Sequence, residues 1–140
     1  MEIEIHQPDK DLQLSETQLH NLIQKIFNEL KLSAASCSII FMNDDDLAQM
    51  HADYFDDPDK TDVITFDLGE TPLEGEIYIS HERAKAQSIE YNVSYTTEVV
   101  RLIIHGILHL AGFDDLNTED RRVMKDKENQ LVEKYTVLNV

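Results

Sequence analysis

One segment limits the possible folds of this chain more than any other, and it is SYTTEVVRLIIHGILHLAG at residues 94–112. Its apolar side chains cover most of the circumference of a helix, which indicates a buried central helix. Its polar residues are Glu98, Arg101, His105 and His109, and their spacing of three or four places them on one stripe. Other elements must cover the apolar sides, while the stripe faces either water or a cleft.

The segments around this helix predict an α/β or α+β domain. Four short stretches predict strands because they alternate in polarity or are rich in β-branched residues: EIEIH, CSIIFM, TDVITFDL and EIYIS. Helices are expected after Ser15, which can form a capping box with Gln18, and after the N-cap Asn43. HERAKAQSIEYN and LNTEDRRVMKDKENQLVEKY predict two more helices. Strands and helices mix along 140 residues without a linker, so we expect one domain over residues 1–140.

Charge and cysteine content restrict the functional classes. The chain has 12 basic and 28 acidic residues and a formal net charge of −16, which argues against charge-driven binding to nucleic acid or to an anionic membrane. The single cysteine, Cys37, cannot form a disulfide within the chain. No signal peptide is evident in MEIEIHQPDK, and no apolar run reaches membrane-spanning length. We therefore expect a cytoplasmic protein without a membrane partner.

The two histidines of the central helix predict a metal site. His105 and His109 are separated by four residues, so their imidazoles are neighbours and can hold one ion. The simpler interpretation is a helix with two polar side chains that meet water. Gly112 suits the left-handed residue that ends a helix, and a reversal there can bring Asp114 or Asp115 back over the histidines. Three protein ligands with an open fourth position are typical of a catalytic zinc site.

Gly106 argues against one common type of metal-dependent chemistry. The metallopeptidase motif has a glutamate directly after the first histidine, and this chain has Gly106 there. Peptidase chemistry by that route is therefore disfavoured. We expect the small residue to leave room beside the metal for a substrate or for water.

At this point the motifs match a known family. HGILHLAGFDD resembles the signature His-Gly-x-Leu-His-Leu-x-Gly-Tyr-Asp-His of the YbeY family, which contains bacterial endoribonucleases and rRNA maturation factors. KTDVITF and EGEIYIS are similar to two strands of that family, and Glu98, Met124 and Glu128 match further positions. The resemblance spans roughly residues 40 to 130. It implies an α+β fold with a mixed four-stranded sheet, helices packed on the sheet, and a metal site on the central helix.

The resemblance also implies roles for single residues. His105 and His109 match the first two metal ligands of the family, Asp115 stands in the place of a third histidine, and Asp114 matches the neighbouring aspartate. The implied cofactor is one divalent ion, zinc foremost; the carboxylate makes manganese more competitive, and nickel is a further alternative. Four residues are expected around the ligands or the substrate: Asp114, Glu98, Arg101 and Lys60.

One departure from the family concerns a cationic residue. The family commonly has a Tyr-Arg pair before its Thr-Asp-Val strand, whereas this chain has Tyr54 and Phe55. The candidates that would replace the arginine are Lys60, Arg83 and Arg101. Because the net charge is strongly negative, RNA binding would also need a local positive region, for which the candidates are Arg83, Lys85, Arg121 and Arg122.

The resemblance implies a metal-dependent, single-strand-specific endoribonuclease that acts in rRNA processing and small ribosomal subunit maturation. The expected partners are an rRNA precursor, the small ribosomal subunit, and a ribosomal or assembly protein that delivers the acidic chain to its RNA. One alternative is a ribosome-assembly binding factor in which the metal is structural and catalysis is marginal. Another is an iron oxygenase, because two histidines and one carboxylate are the ligands of that class.

Overall fold

The structure is a computed structural model that describes residues 1–56, 61–69 and 72–137. Within these ranges the chain forms strands and helices in mixed order. The strands are β1 (Glu2–His6), β2 (Ser36–Met42), β3 (Val63–Asp67) and β4 (Glu74–Ser80). The helices are α1 (Glu16–Glu29), α2 (Asp44–Phe55), α3 (His81–Glu90), α4 (Tyr95–Leu110) and α5 (Thr118–Val137).

The four strands form one mixed sheet in the order β1-β2-β4-β3. The pairs β1–β2 and β2–β4 are parallel, and β3 runs antiparallel to β4 at the edge of the sheet. The expected α+β fold with a mixed four-stranded sheet is therefore confirmed. Strand β4 begins at Glu74, two residues before the predicted segment EIYIS.

The helix ends follow the signals in the sequence. Ser15 and Gln18 form a capping box, in which each side chain accepts a hydrogen bond from the other residue's backbone N–H. The Asn43 side chain accepts from the backbone N–H of Asp46 and caps α2. Gly112 has a φ of +98°, so the chain reverses after α4 at the residue that tolerates this conformation best.

Helix α4 packs tightly on one face of the sheet. A Cβ atom on Gly106 would lie 2.8 Å from Cδ1 of Ile77, and one on Gly75 would lie 2.6 Å from Cδ1 of Leu110. The expectation that Gly106 leaves room beside a metal is therefore wrong. Consecutive helical residues point about 100° apart, so Gly106 faces β4 while His105 faces the cleft. Further side chains of this face have relative exposures of 1% or less: Cys37, Ile39, Phe41, Ile77 and Ile79.

Helix α5 returns alongside the polar stripe of α4. Its inner side chains Met124, Leu131 and Val132 join the core, and Glu128 is buried with them at 2% exposure. The two helices therefore form the walls of a cleft that is lined by three residues of the stripe, Glu98, Arg101 and His105. In the part of the chain that the structure describes, no helix has the length and apolar character needed to cross a membrane.

Candidate metal centre

One turn of helix α4 and the chain reversal after it bring three potential metal ligands together. His105 and His109 lie one turn apart on α4, with ring centroids 4.8 Å apart and an angle of 78° between the rings. The reversal at Gly112 returns Asp115, whose Oδ2 lies 3.9 Å from Nε2 of His109. One donor atom from each of the three residues lies within 4.8 Å of the others, so this cluster could hold a metal ion.

The hydrogen bonds of the two imidazoles define which nitrogen is available. Nδ1 of His109 lies 3.2 Å from the carbonyl oxygen of Phe113, which can only accept, so Nδ1 is the donor. Nδ1 of His105 lies 2.7 Å from Oε1 of Glu128. With Nδ1 as the donor, the neutral form of each ring carries its lone pair on Nε2. Metal-binding histidines typically donate the other ring N–H to a carboxylate or carbonyl group, so this donor set fits a metal ion.

Glu128 fixes the orientation of His105. Burial raises the pKa of the Glu128 carboxyl, but hydrogen bonds from His105, Lys125 and Arg101 outweigh that effect and bring this pKa to about 2. The ionised carboxylate accepts from Lys125 at 2.9 Å and from Arg101 at 2.5 Å. Glu128 is thus an acceptor at neutral pH, and Nδ1 of His105 must donate to it.

The protonation of His109 also suits a ligand. Burial lowers the pKa of its imidazole, and the neighbouring His105 lowers it further, whereas Asp115 and the Phe113 carbonyl raise it. The net effect is a lowered pKa, which favours the neutral ring at neutral pH. A neutral imidazole is the form that binds a metal.

The remaining predicted residues take different places. Arg101 donates to Glu128 and, at 2.9 Å, to Oδ1 of Asn129, so it acts on His105 only through Glu128. Glu98 lines the cleft but is buried, where it accepts from Gln87 at 2.8 Å, and burial raises its pKa. The structure thus places both side chains in the lining of the cleft but outside the cluster of three donors.

Asp114 lies outside the cluster. Its side chain is exposed, and Oδ1 accepts from the backbone N–H of Leu116 at 3.3 Å, which stabilises the turn that carries Asp115. Lys60, the other predicted contact residue, lies outside the described residues.

An open cleft of about 1140 Å³ adjoins the cluster. His105 and Asp115 line it from one side, and four cationic side chains also line it: Arg101, Arg121, Arg122 and Lys125. Of the four residues expected to form a positive region, only Arg121 and Arg122 line this cleft. Arg83 pairs with Asp44 at 3.4 Å, and Lys85 pairs with Asp9 and Asp11 at 3.0 and 2.9 Å, away from this cleft.

Phe55 has an aromatic environment in place of a cationic one. Its ring stacks on Phe66 with centroids 6.2 Å apart, and Tyr54 meets the same ring edge-on at 5.2 Å. Phe66 in turn contacts Tyr78, on the side of the sheet opposite Ile77. The position matched to the family arginine thus belongs to an aromatic cluster on the face away from α4.

Sequence reasoning missed how Glu128 acts. The sequence showed only that Glu128 matches a family position. It lies 23 residues after His105, and no helical or strand spacing links residues that far apart. Only the packing of α5 on α4 shows that its carboxylate orients an imidazole.

The fold and the site together define a class, namely α+β proteins that carry a His-His-Asp donor set at the end of a buried helix beside an open cleft. The family model described as endoribonuclease YbeY matches residues 3–136. The chain therefore belongs to the YbeY family, and this membership supports an endoribonuclease role.

Individual relatives agree with this assignment. An "Endoribonuclease YbeY" of Azobacteroides pseudotrichonymphae is 36% identical over 113 residues, covering 80% of this chain and 81% of the relative. One from Christiangramia forsetii is 34% identical over 124 residues, covering 87% and 86%. The solution structure of TM1509 from Thermotoga maritima superimposes with a TM-score of 0.67 at 29% identity, covering 94% of this chain and 87% of the other.

Proposed function

We propose that residues 1–140 form one metal-dependent endoribonuclease domain that cleaves single-stranded RNA in rRNA processing and small ribosomal subunit maturation. His105, His109 and Asp115 hold one divalent ion, zinc foremost, with manganese and nickel as alternatives. The protein acts in the cytoplasm, and a ribosomal or assembly protein brings it to the rRNA precursor. The names of the relatives, which are called endoribonucleases, support the RNA substrate.

The donor set is the observation that carries this proposal. Two imidazoles each use Nδ1 in a hydrogen bond, to Glu128 and to the Phe113 carbonyl, so that Nε2 is the nitrogen left for a metal. Asp115 adds a carboxylate that is nearly half exposed. Three ligands beside an open cleft leave a coordination position for a reactant, as in catalytic zinc sites.

The residues around the ligands provide orientation. When bound, a divalent ion supplies Lewis acidity and makes water a stronger nucleophile near neutral pH. Glu128 keeps the His105 ring in one tautomer and one orientation, and Arg101 and Lys125 hold Glu128. The cationic side chains along the cleft offset the net charge of −16 where a phosphate backbone would lie.

The direct test compares His109→Ala with wild type in RNA cleavage, metal content and thermal unfolding. We expect the cleavage rate of His109→Ala to fall by more than about 100-fold. In such sites, mutation of a residue that only hydrogen-bonds to a ligand already lowers metal affinity or activity by about 10- to 100-fold. The melting temperature should change little, because His109 lines a partly exposed site. His6→Ala is the matched control, because His6 is exposed on β1 and outside the cluster.

Removal of the metal from the wild type with a chelator distinguishes an enzyme from an assembly factor with a structural metal. A structural ion contributes folding free energy directly, so its removal by a chelator would unfold the protein. We expect chelation to stop cleavage with only a modest fall in melting temperature. A folded, metal-loaded wild type that binds small ribosomal subunits but cleaves no RNA would contradict the enzyme proposal.

A further inference from the structure

The four cations of the cleft differ in how they are engaged. Arg101 donates to the buried Glu128, and Lys125 donates to the same carboxylate. Arg122 contacts Glu119 at 2.5 Å and Asp126 at 3.9 Å, so two carboxylates on its own helix balance its charge. These three side chains are held by acids of the protein itself.

Arg121 is different. In the described residues its guanidinium has no ion pair and no side-chain hydrogen bond, and only its backbone N–H is engaged, with the Asn117 carbonyl at 2.9 Å. The side chain is exposed and lines the same cleft as His105 and Asp115. A guanidinium without an acidic partner is notable in a chain with 28 acidic and 12 basic residues.

The chemistry of this side chain defines the ligand that it fits. A guanidinium presents parallel N–H donors that match the oxygens of a phosphate group, and its charge persists over the whole working pH range. An arginine that is already paired must first release its carboxylate before it can bind a phosphate. Among the residues that the structure describes, Arg121 has no such partner to release, so of these four cations it is the one that is ready to bind an anion.

We propose that Arg121 contacts one backbone phosphate of the single-stranded RNA in the cleft; this inference rests on the proposed function. The contact is a binding contribution that does not depend on the base, so it affects every RNA sequence alike. It also gives a distinct signature, because each phosphate contact on a single strand steepens the salt dependence of binding by about 0.7 in a log–log plot.

The experiment measures kcat and KM of the zinc- or manganese-loaded protein on a labelled single-stranded oligouridine, at salt concentrations from about 50 to about 200 mM. For Arg121→Gln we expect KM to rise about tenfold at low salt with little change in kcat. The slope of log(kcat/KM) against log[salt] should become shallower by about 0.7. Arg121→Lys should keep the wild-type slope, because the charge remains.

Lys134→Gln is the matched control, because it removes one positive charge from an exposed position of the same helix outside the cleft. Its slope should equal that of the wild type, since Lys134 pairs with Glu29 and does not line the cleft. If the wild type cleaves RNA and Arg121→Gln keeps the wild-type slope, the Arg121 contact is wrong while the proposed function stands. If the metal-loaded wild type cleaves no RNA, both proposals are wrong.

Discussion

The two sides of helix α4 are built in opposite ways. On the sheet side the backbone approaches β4 so closely that Gly106 touches Ile77, and the surrounding side chains are almost fully buried. On the opposite side the side chains of His105 and His109 are between a quarter and a third exposed, and His105 lines the cleft. The close-packed side of α4 thus holds the two histidines in position, while their side chains remain accessible to a substrate on the other side.

On the cleft side of α4, we expect the largest effect from a substitution of Glu128. Glu128→Gln keeps the shape of the side chain but removes the charge that holds Nδ1 of His105 as a donor. We expect zinc affinity to fall by about 10- to 100-fold, as for other partners of metal-binding histidines. Competition with a chromophoric chelator measures the affinity. Glu133→Gln, an exposed change on the same helix, should leave it unchanged, and equal affinities for both variants would show that Glu128 does not act on the site.

On the sheet side of α4, we expect a substitution of Gly106 to change the free energy of unfolding. In Gly106→Ala the added Cβ would lie 2.8–3.0 Å from three atoms of Ile77. Overpacking of this kind costs about 1–3 kcal/mol, and the better helix propensity of alanine offsets about 1 kcal/mol of it. We expect a net loss of up to about 2 kcal/mol in the free energy of unfolding, measured in urea. Cleavage well below the melting temperature should persist.

A second substitution tests the cause of that loss. Ile77→Val removes the Cδ1 atom nearest to the new Cβ, so it should cost less stability in Gly106→Ala than in the wild type. Additive losses in this double-mutant cycle would mean that the contact with Ile77 is not the reason for the glycine.

The smallest expected effect lies at the far end of the cleft wall, where α5 is tied to α1. Glu29 accepts hydrogen bonds from Lys134 and from Tyr135, and the bond from Lys134 is the main reason that the pKa of Glu29 is lowered. A lowered pKa in the folded state means that the contribution to stability is present at neutral pH and is lost as pH falls below about 4.5, the ordinary value. Glu29→Gln should therefore destabilise slightly at neutral pH and less at acidic pH. Urea unfolding of both proteins at neutral and acidic pH measures this. A stability difference between wild type and Glu29→Gln that is larger in acid would contradict it.

The sequence predicted the parts of the site that depend on local spacing. The i, i+4 pair His105 and His109, the left-handed Gly112 and the capping box at Ser15 each follow from the conformation of a few consecutive residues. A reversal at Gly112 left both Asp114 and Asp115 as candidates for the third ligand, and the family resemblance selected Asp115, which lies in the cluster.

The parts that sequence reasoning missed depend on packing between distant segments. Gly106 was expected to leave room in the cleft, and its real neighbour is Ile77, 29 residues earlier. The contact of Glu128 with His105 depends on the position of α5. That Arg121 has no acidic partner within the described residues depends on where the acids around it lie in the fold. Such features are set by tertiary structure and leave no periodic signal in the chain.

A crystal structure of the zinc-loaded protein tests whether His105, His109 and Asp115 bind one metal ion together. We expect zinc bound to Nε2 of both histidines and to an Asp115 carboxylate oxygen, at about 2.0–2.2 Å, with Nδ1 of His105 still on Glu128. Zinc held through Nδ1, or an Asp115 side chain turned away from both imidazoles, would contradict it.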